Sequence, residues 1–496
     1  MTVVTKKPGL LLSFVPILVL MGLIVINIKV FKESAIMGPN QFALIISALV
    51  AGLIGIFVLR VPFQEMEKRI IHSIGLSMQA NLILLVVGAL IGLWIFSGVV
   101  PAMIYYGIKM INPHWFLPVS CLVCCVVSIA TGSSWSTGGT VGIALIGIGQ
   151  ALNIPVEMVA GAVISGAYFG DKLSPLSDTT NLAPAMAGTD LFTHIRYMMY
   201  TTLPSIVLSL IGYAILGFFY RSETAEMAQV ETVLAIMNQQ FNLTPMLFIL
   251  PLLVIVMVAK KVPALPALVI GCLGGAVFIL IFQQELLIRT LGENYHFAGI
   301  YEKILTAAVS GFKMETGNKV IDSLLSRGGM SGMLTTVWLI LMAMVFGGVM
   351  EATGMLEEIA RTILRMVKGA GSLITATISS CVLFNLTASD QYLAIVIPGK
   401  MFKPSYDKFG LAPENLSRSL EDGGTLTSVL VPWNTCGAYF ATILGVSTGA
   451  YLPYCFFNLI NPIVSITVAN LGWKIRMRSP DQLEFSDRSI GAPELG

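Results

Sequence analysis

Charged residues are scarce in this sequence. Only 11% of the 496 side chains are Asp, Glu, Lys or Arg, whereas soluble domains carry about 25%. Hydrophobic residues make up 55% of the chain, and the mean hydropathy is +0.83. These values exclude an ordinary soluble domain. They predict an all-α polytopic membrane protein, because apolar runs of about 20 residues recur along the whole chain.

The sequence also lacks a surplus of charge of one sign. The formal net charge is +2 at pH 7, and Lys and Arg are not concentrated in any one stretch. Nucleic-acid binding depends on clustered basic side chains that neutralise phosphates. We therefore expect no nucleic-acid partner.

Histidine is rare, and the cysteines occur where apolar residues occur. The four histidines are scattered near predicted helix ends, and the seven cysteines fall within or beside apolar runs. Cys121 and Cys124 have the spacing of a redox or metal pair. Packing explains them better, because they lie inside an apolar helix with no histidine nearby. We expect no cofactor.

One polar island stands out against this background. Segment 170–181 reads Gly-Asp-Lys-Leu-Ser-Pro-Leu-Ser-Asp-Thr-Thr-Asn and lies between apolar runs. A charged side chain near the bilayer centre costs ~2.5–3.5 kcal/mol, so such residues usually serve a function. A solvated loop between two helices is the simpler alternative. A second island of the same design, 421–434, favours function.

The apolar segments form two similar series. Each half has three spans, a broken region, a second broken region and a final span. The spans are 10–28, 42–59, 73–98 and 199–220, then 244–259, 263–283, 331–350 and 449–472, and the broken regions are 116–152, 156–188, 371–402 and 412–446. We therefore predict an N-terminal repeat (1–220), an inter-repeat loop (221–243), a C-terminal repeat (244–473) with a long external loop (284–330), and a cytoplasmic tail (474–496).

The islands of the two halves match in order. Asp171 and Asp422 are each followed by hydroxyl residues three and six positions later. Thr131 and Thr387 are each followed two positions later by a serine. The matched residues are Ser133 with Ser389, Ser174 with Thr425, Ser177 with Ser428, and Asn181 with Asn434. We expect glycines and prolines in these islands to interrupt the helices.

Positive charge predicts the topology. If 116–152 and 371–402 are re-entrant hairpins and about ten other segments cross, basic residues such as Lys6, Arg196, Lys260 and Lys474 collect on the cytoplasmic side with both termini. The two halves then have opposite orientations. The fold prediction is two inverted-topology repeats with two hairpins and two broken helices, whose binding site is expected at the midplane.

The polar residues of the islands suit a small cation. Unwound carbonyls, helix ends and side-chain oxygens can form a hard-oxygen shell. The predicted ion-binding residues are Thr131, Ser133, Asp171, Ser174, Ser177, Asp178, Thr179, Asn181, Asp390, Asp422, Thr425, Ser428 and Asn434. Burial and mutual repulsion disfavour the charged form of neighbouring carboxylates. Asp171, Asp178 and Asp422 are therefore predicted to hold either a proton or Na⁺, which is sufficient for antiport when combined with alternating access.

Two charged residues of the islands have open roles. Lys172 either compensates the charge of Asp171 or Asp178, or extends to the cytoplasmic interface. Glu421 and Asp422 are neighbours and cannot share one helical face fully. We expect one of them to reach an interface, and we assign Asp422 to the site.

These motifs resemble those of the NhaC family of Na⁺/H⁺ antiporters. The resemblance runs through Thr131-Gly-Ser-Ser-Trp-Ser-Thr, the 170–180 motif, Ser389-Asp390 and Glu421-Asp-Gly-Gly-Thr with Pro432-Trp-Asn. It covers nearly the whole chain and implies exchange of cytoplasmic Na⁺ for external H⁺ in the bacterial cell membrane. The family belongs to a group of inverted-repeat transporters that are often dimeric, so the resemblance implies a homodimer.

Two other functions compete with simple antiport. One branch of the family resembles malate/lactate exchangers that are coupled to Na⁺ and H⁺. The motifs do not distinguish this branch from simple Na⁺/H⁺ antiporters. A carboxylate substrate would favour an arginine at the site, and Arg418, expected near the cytoplasmic end, is the one arginine of the broken regions. The remote alternative is an intramembrane aspartyl protease, whose Gly-x-Gly-Asp motif is incomplete at Asp171.

Overall fold

The computed structural model describes residues 6–31, 34–35, 37–110, 112–219, 224–316, 321–322, 325–326 and 328–478. Nearly all of this part of the chain is helical, with one isolated antiparallel bridge between Leu411 and Met477. The all-α fold class is therefore confirmed. Of the predicted tail 474–496, residues 479–496 lie outside the described ranges.

Long apolar helices dominate the first half of the chain. Its helices are α1 (Leu10–Phe31), α2 (Pro39–Leu53), α3 (Phe63–Phe96), α4 (Val99–Met110), α5 (Phe116–Thr131), α6 (Ser134–Thr137), α7 (Ile143–Ala151), α8 (Val156–Leu173), α9 (Asp178–Ala187), α10 (Leu191–Phe219) and α11 (Thr224–Gln240). π-Helical turns at Ile54–Leu59 and Gly138–Gly142 extend α2 and join α6 to α7.

The second half repeats this alternation of long and interrupted helices. Its helices are α12 (Ile249–Ala259), α13 (Ala264–Phe282), α14 (Gln284–Leu291), α15 (Phe297–Ser310), α16 (Leu334–Ala352), α17 (Met355–Arg365), α18 (Ala370–Thr387), α19 (Gln391–Lys408), α20 (Pro413–Leu420), α21 (Leu426–Ser428), α22 (Thr435–Leu444), α23 (Thr448–Tyr451) and α24 (Phe456–Asn470). A third π-helical turn, Glu421–Thr425, joins α20 to α21.

The outer surface is suited to lipid. Within the described residues, eight helical segments are long and apolar enough to span a membrane, or ten if each of two bent pairs forms one span. Large hydrophobic side chains point outward along these helices, with Leu11 86% and Phe219 82% exposed. Exposing so large an apolar surface to water would be unfavourable. The chain is a multi-pass membrane protein.

One predicted loop is a helix. Segment 221–243 was predicted to be a polar inter-repeat loop, but α11 occupies most of it. The segment is rich in Ala, Glu, Met and Gln, which favour helix. Val233 and Met237, one turn apart, are both buried. The prediction gave too much weight to polarity and too little to this spacing.

The first hairpin consists of residues 116–151. Helix α5 ends at Thr131 and is capped by Gly132, which has a left-handed φ of +66°. The chain then turns back through α6 and α7. Gly149 of α7 lies beside the start of α5, because a Cβ there would be 3.2 Å from the Phe116 ring. The segment therefore returns to the face from which it entered.

The second hairpin consists of residues 370–408. Helix α18 ends at Thr387, Ser389 has a left-handed φ of +59°, and Asp390 caps α19. The Tyr406 hydroxyl near the end of α19 lies 3.0 Å from the Thr377 hydroxyl of α18. Both predicted re-entrant segments are therefore antiparallel helix pairs.

The hairpins enter from opposite faces. The first begins beside the end of α10, where a Cβ on Gly217 would contact the His114 carbonyl. The second begins beside the end of α24, where a Cβ on Gly371 would lie 2.8 Å from the Ala469 carbonyl. Helices α10 and α24 run antiparallel, since the Tyr213 hydroxyl late in α10 donates to the Tyr454 carbonyl just before α24. This is the geometry of inverted-topology repeats.

Candidate functional site

The first broken helix (156–187) is interrupted after Leu173. Ser174 has extended backbone and its hydroxyl donates to the Ile129 carbonyl of the first hairpin, at 2.8 Å. Ser177 caps α9 by accepting from the Thr180 amide. The Thr180 hydroxyl lies 3.1 Å from the carbonyls of Asp171 and Lys172. The break is thus braced by hydroxyls that satisfy the free carbonyls at the end of α8.

The second broken helix (413–444) is interrupted later than predicted. Its non-helical stretch follows Ser428, and Asn434 caps α22 by accepting from the Cys436 amide at 3.1 Å. Gly423 and Gly424, which we expected to break the helix, lie in the π-helical turn. They allow close packing on the second hairpin instead, since a Cβ on Gly424 would be 2.8 Å from Ile395.

This difference changes which positions correspond in the two halves. Asp171 lies six residues before the cap at Ser177, whereas Asp422 lies twelve residues before the cap at Asn434. Counted from the caps, Ser428 is the counterpart of Asp171. The sequence match of Asp171 with Asp422 is therefore not a structural equivalence.

A buried ion pair joins the two broken helices. The Lys172 ammonium contacts Asp422 Oδ1, and neither side chain has exposed surface. Asn461 also donates to Asp422 Oδ1 at 2.7 Å, and the Thr201 hydroxyl lies 3.3 Å from Oδ2. Neither expectation for Lys172 was correct: it extends to neither the interface nor the carboxylates of its own segment. It reaches across to the other repeat.

Glu421 is a second buried carboxylate at the same junction. Its Oε1 accepts from the Thr179 hydroxyl of the first broken helix at 3.1 Å, while its Oε2 has no hydrogen-bond partner. The Thr425 hydroxyl, four residues later in the same segment, is also buried without a partner. The expectation that Glu421 or Asp422 reaches an interface is wrong, because both have 0% exposure.

Asp171 faces the first hairpin. Its Oδ2 accepts from the hydroxyl of Ser134 at 2.6 Å and from the Ser134 amide at 3.2 Å. The side chain is 7% exposed. Asp171 and Lys172 are adjacent on α8 and point about 100° apart, as successive helical residues do. One therefore contacts the hairpin and the other contacts the second repeat.

Of the two remaining predicted carboxylates, Asp178 is exposed and Asp390 is buried. Asp178 is exposed at the first position of α9, and its carboxylate lies 3.4 Å from the Tyr392 hydroxyl. A negative charge is stable at a helix N-terminus, where it needs no burial. Asp390 is buried, but it caps α19 through the amides of Tyr392 and Leu393.

Most of the predicted hydroxyl and amide ligands bond to the protein itself. Ser133 caps α6, and the Thr131 hydroxyl lies 3.4 Å from that of Thr137. Asn181 is exposed and donates to the Pro175 and Ser177 carbonyls. Ser428 donates to the Thr425 carbonyl at 2.6 Å. These residues shape the breaks.

Four residues at the junction were missed from the sequence. The prediction includes Asp422 rather than Glu421, and Ser133 rather than its neighbour Ser134. Thr201 and Asn461 lie in apolar helices, and only their contact with Asp422 identifies them. Of the four, Glu421 could have been identified from the sequence, because it is a carboxylate in an otherwise apolar stretch.

The charges of the junction are unbalanced. Asp422 has Lys172 as its ion-pair partner. Asp171 and Glu421 have no Lys, Arg or His within ion-pair distance among the described residues. A buried carboxylate without a counter-ion is unstable unless it takes up a proton or a cation. Two such groups therefore lie where the repeats meet.

Comparison with known proteins identifies the family. Residues 166–473 match the family model of the Na⁺/H⁺ antiporter family. The chain is 38% identical over 455 residues to the Na(+)/H(+) antiporter NhaC of Alkalihalophilus pseudofirmus, covering 92% of this chain and 94% of that one.

Two further relatives carry other names. The malate-2H(+)/Na(+)-lactate antiporter of Bacillus subtilis is 38% identical over 437 residues, covering 88% of this chain and 89% of that one. The arginine/ornithine antiporter ArcD of Halobacterium salinarum is 34% identical over 485 residues, covering 96% and 95%. With two inverted broken helices around buried carboxylates and these relatives over almost its full length, the chain belongs to the Na⁺/H⁺ antiporter family.

Proposed function

We propose that this chain exchanges cytoplasmic Na⁺ for external H⁺ by alternating access. The observation that carries the proposal is the buried Glu421 carboxylate, one oxygen of which has no partner. A cation near this oxygen and the unpartnered Thr425 hydroxyl would gain hard-oxygen ligands without displacing an existing hydrogen bond. Asp171 is the second exchangeable group, because it also lacks a basic partner.

The two ions compete in this scheme. A protonated Glu421 is neutral and buried at little cost, but it binds Na⁺ poorly. Loss of the proton leaves a charge that the low-dielectric surroundings disfavour until Na⁺ replaces it. The site is therefore occupied by either ion, and the neutral complex is the form that can move between the two faces.

The broken helices supply the moving parts of the proposal. Lys172 holds the first to Asp422 of the second, and the hairpins reach the junction from opposite faces. A relative shift of the repeats would expose the junction to one side and then to the other. We assign the repeats to 1–220 and 244–473, place both termini in the cytoplasm of a bacterial cell, and propose a homodimer.

The test is ion exchange by purified protein in liposomes with no organic acid present. An imposed pH gradient should be dissipated by Na⁺ alone, and outward Na⁺ movement should follow inward H⁺ movement. A gradient that Na⁺ leaves intact would contradict the proposal. Replacing Na⁺ with Li⁺ or K⁺ in the same vesicles would define the ion preference.

A second candidate is coupled exchange of a small organic acid. One relative is named as a malate/lactate antiporter and another as an arginine/ornithine antiporter, and all four substrates carry a carboxylate. The structural observation in its favour is Arg418, which is fully buried. Exchange that requires both Na⁺ and an added organic acid would favour this candidate.

A further inference from the structure

A cavity lies between the first turns of α10 and the segment that follows α24. Its volume is about 460 Å³, and its wall is formed by residues 474–476 and by Thr193, Arg196, Tyr197 and Tyr200 of α10. The four α10 residues have the i, i+3, i+4, i+7 spacing of one helical face. A single face of α10 therefore forms one side of the cavity, and the short segment after α24 forms the other.

Hydrogen bonds hold the two sides of the cavity together. The Tyr197 hydroxyl lies 2.5 Å from the Lys474 carbonyl. Asn415 of α20 donates to the Arg476 carbonyl at 2.7 Å, and the Ala412 amide donates to the same carbonyl at 2.9 Å. These bonds use the backbone of the segment and fix its position against the helices. The cavity is therefore formed before any ligand binds.

The wall of the cavity is positively charged. Arg196, Lys474 and Arg476 are exposed, and no acidic residue lines the cavity. Arg476 is paired with Glu414 at 2.9 Å. Among the described residues, Arg196 and Lys474 have no carboxylate within ion-pair distance, and Lys474 lies over the Tyr200 ring at 4.8 Å. Two positive charges are thus free to pair with an anion.

The cavity lies where apolar surface gives way to polar surface. Helix α24 ends at Asn470, and Trp473, three residues later, is 52% exposed. Tyr200 on the facing side is 40% exposed. Exposed aromatic rings are typical of the level of the lipid headgroups. The cations of the cavity are therefore at the depth at which lipid phosphates lie.

An exposed apolar stripe continues from the cavity along α10. Leu203, Val207 and Ile211 are 42%, 52% and 50% exposed. Since successive helical residues are rotated by about 100°, these three side chains share a face with Arg196 and Tyr200. The stripe from Tyr200 to Ile211 is about 16 Å long at 1.5 Å per residue. A ligand with an anionic end and an extended hydrocarbon chain matches both parts of this surface.

We propose that the cavity binds the headgroup of an anionic phospholipid. The phosphodiester pairs with Arg196 and Lys474, and one acyl chain lies along the stripe of Leu203, Val207 and Ile211. Basic pockets between transmembrane helices suit such headgroups. A free phosphate ion would use the cations but not the stripe, so the stripe favours the lipid. The site uses none of the carboxylates of the junction and does not rest on Na⁺/H⁺ exchange.

The experiment is native mass spectrometry of the purified full chain in detergent with added lipid. The probes are phosphatidylglycerol and phosphatidylcholine with identical acyl chains, because they differ in net charge. Each basic residue near a lipid surface contributes about 1 kcal/mol, so phosphatidylglycerol should bind about 10- to 30-fold more tightly. The double variant Arg196→Gln/Lys474→Gln should lose this preference.

A matched variant controls for the loss of two positive charges. Lys260 and Lys261 are exposed at the end of α12, outside the cavity. Lys260→Gln/Lys261→Gln should therefore bind phosphatidylglycerol as the wild type does.

Single variants separate lost charge from lost structure. Arg196→Gln should weaken phosphatidylglycerol binding about fivefold. Arg196→Lys keeps the charge and should stay close to the wild type. A normal gel-filtration profile for each variant shows that the fold is intact.

Four outcomes would overturn the proposal. The first is equal affinity of the wild type for the two lipids, and the second is unchanged phosphatidylglycerol affinity in Arg196→Gln/Lys474→Gln. The third is an equal loss in Lys260→Gln/Lys261→Gln, which would show that the lipid responds to surface charge in general. The fourth is displacement of phosphatidylglycerol by inorganic phosphate at equal concentration, which would assign the cavity to a free anion.

Discussion

Lys172 and Asp422 form an ion pair in which neither side chain has any exposed surface. The two residues are 250 positions apart and belong to different broken helices. Removing one partner of a buried pair leaves an uncompensated charge, which costs about 3–5 kcal/mol. The pair is therefore a specific link between the two broken helices.

We predict that Lys172→Met lowers the free energy of unfolding by about 3–5 kcal/mol. The double variant Lys172→Met/Asp422→Asn should recover more than half of this loss, because the remaining charge is also removed. Chemical unfolding in mixed detergent measures both values. Additive effects of the two single changes would show that the residues do not interact.

Glu421→Gln should abolish Na⁺-dependent proton movement. Glutamine keeps the shape of the side chain and the contact with Thr179, but it cannot exchange a proton for Na⁺. Proton flux in everted vesicles is the measurement. Glu357→Gln, which changes an exposed residue of α17, is the matched control and should exchange normally. Normal exchange by Glu421→Gln would remove this residue from the site.

The two aspartates of the first broken helix should behave differently. From the sequence we expect both Asp171→Asn and Asp178→Asn to abolish exchange. The structure leads us to keep that expectation for Asp171, which is buried and bonded to Ser134. Asp178 is exposed, so Asp178→Asn should retain most activity. Loss of exchange by a correctly folded Asp178→Asn variant would show that this carboxylate does belong to the ion-binding site.

Gly170 should be intolerant of a side chain. A Cβ there would lie 2.5 Å from the Cys125 carbonyl, where α8 packs against α5. Backbone cannot move as a side chain can, so we predict that Gly170→Ala lowers stability by about 1–3 kcal/mol. Gly22→Ala is the control, because nothing lies within 4 Å of its added methyl group. Thermal unfolding in detergent compares the two, and equal stability would contradict the packing account.

The sequence predicted the helix breaks well because local signals mark them. Thr131 and Thr387 are the last residues of α5 and α18, and Pro175 lies in the first break. Apolar run length and interruption by turn residues are sufficient for such predictions. The break after Ser428 was missed because packing on the second hairpin decided its position. Helix α11 was missed because its polarity was weighted above its helix-favouring composition and spacing.

The site was harder to predict because its contacts connect distant parts of the chain. Glu421 accepts from Thr179 of the first broken helix, and Lys172 pairs with Asp422 of the second. Residue type and spacing within a helix do not show which side of that helix another segment will cover. Carboxylates could be recognised as candidates from the apolar background, but their ranking required the fold.

The most direct test is the pH dependence of Na⁺ affinity in liposomes with purified protein. If Na⁺ and H⁺ compete for the buried carboxylates, the apparent KM for Na⁺ should rise with acidity, approaching about tenfold per pH unit. The maximal rate at saturating Na⁺ should change little over the same range. A KM for Na⁺ that is constant with pH would show that the two ions use separate sites, and it would contradict this account.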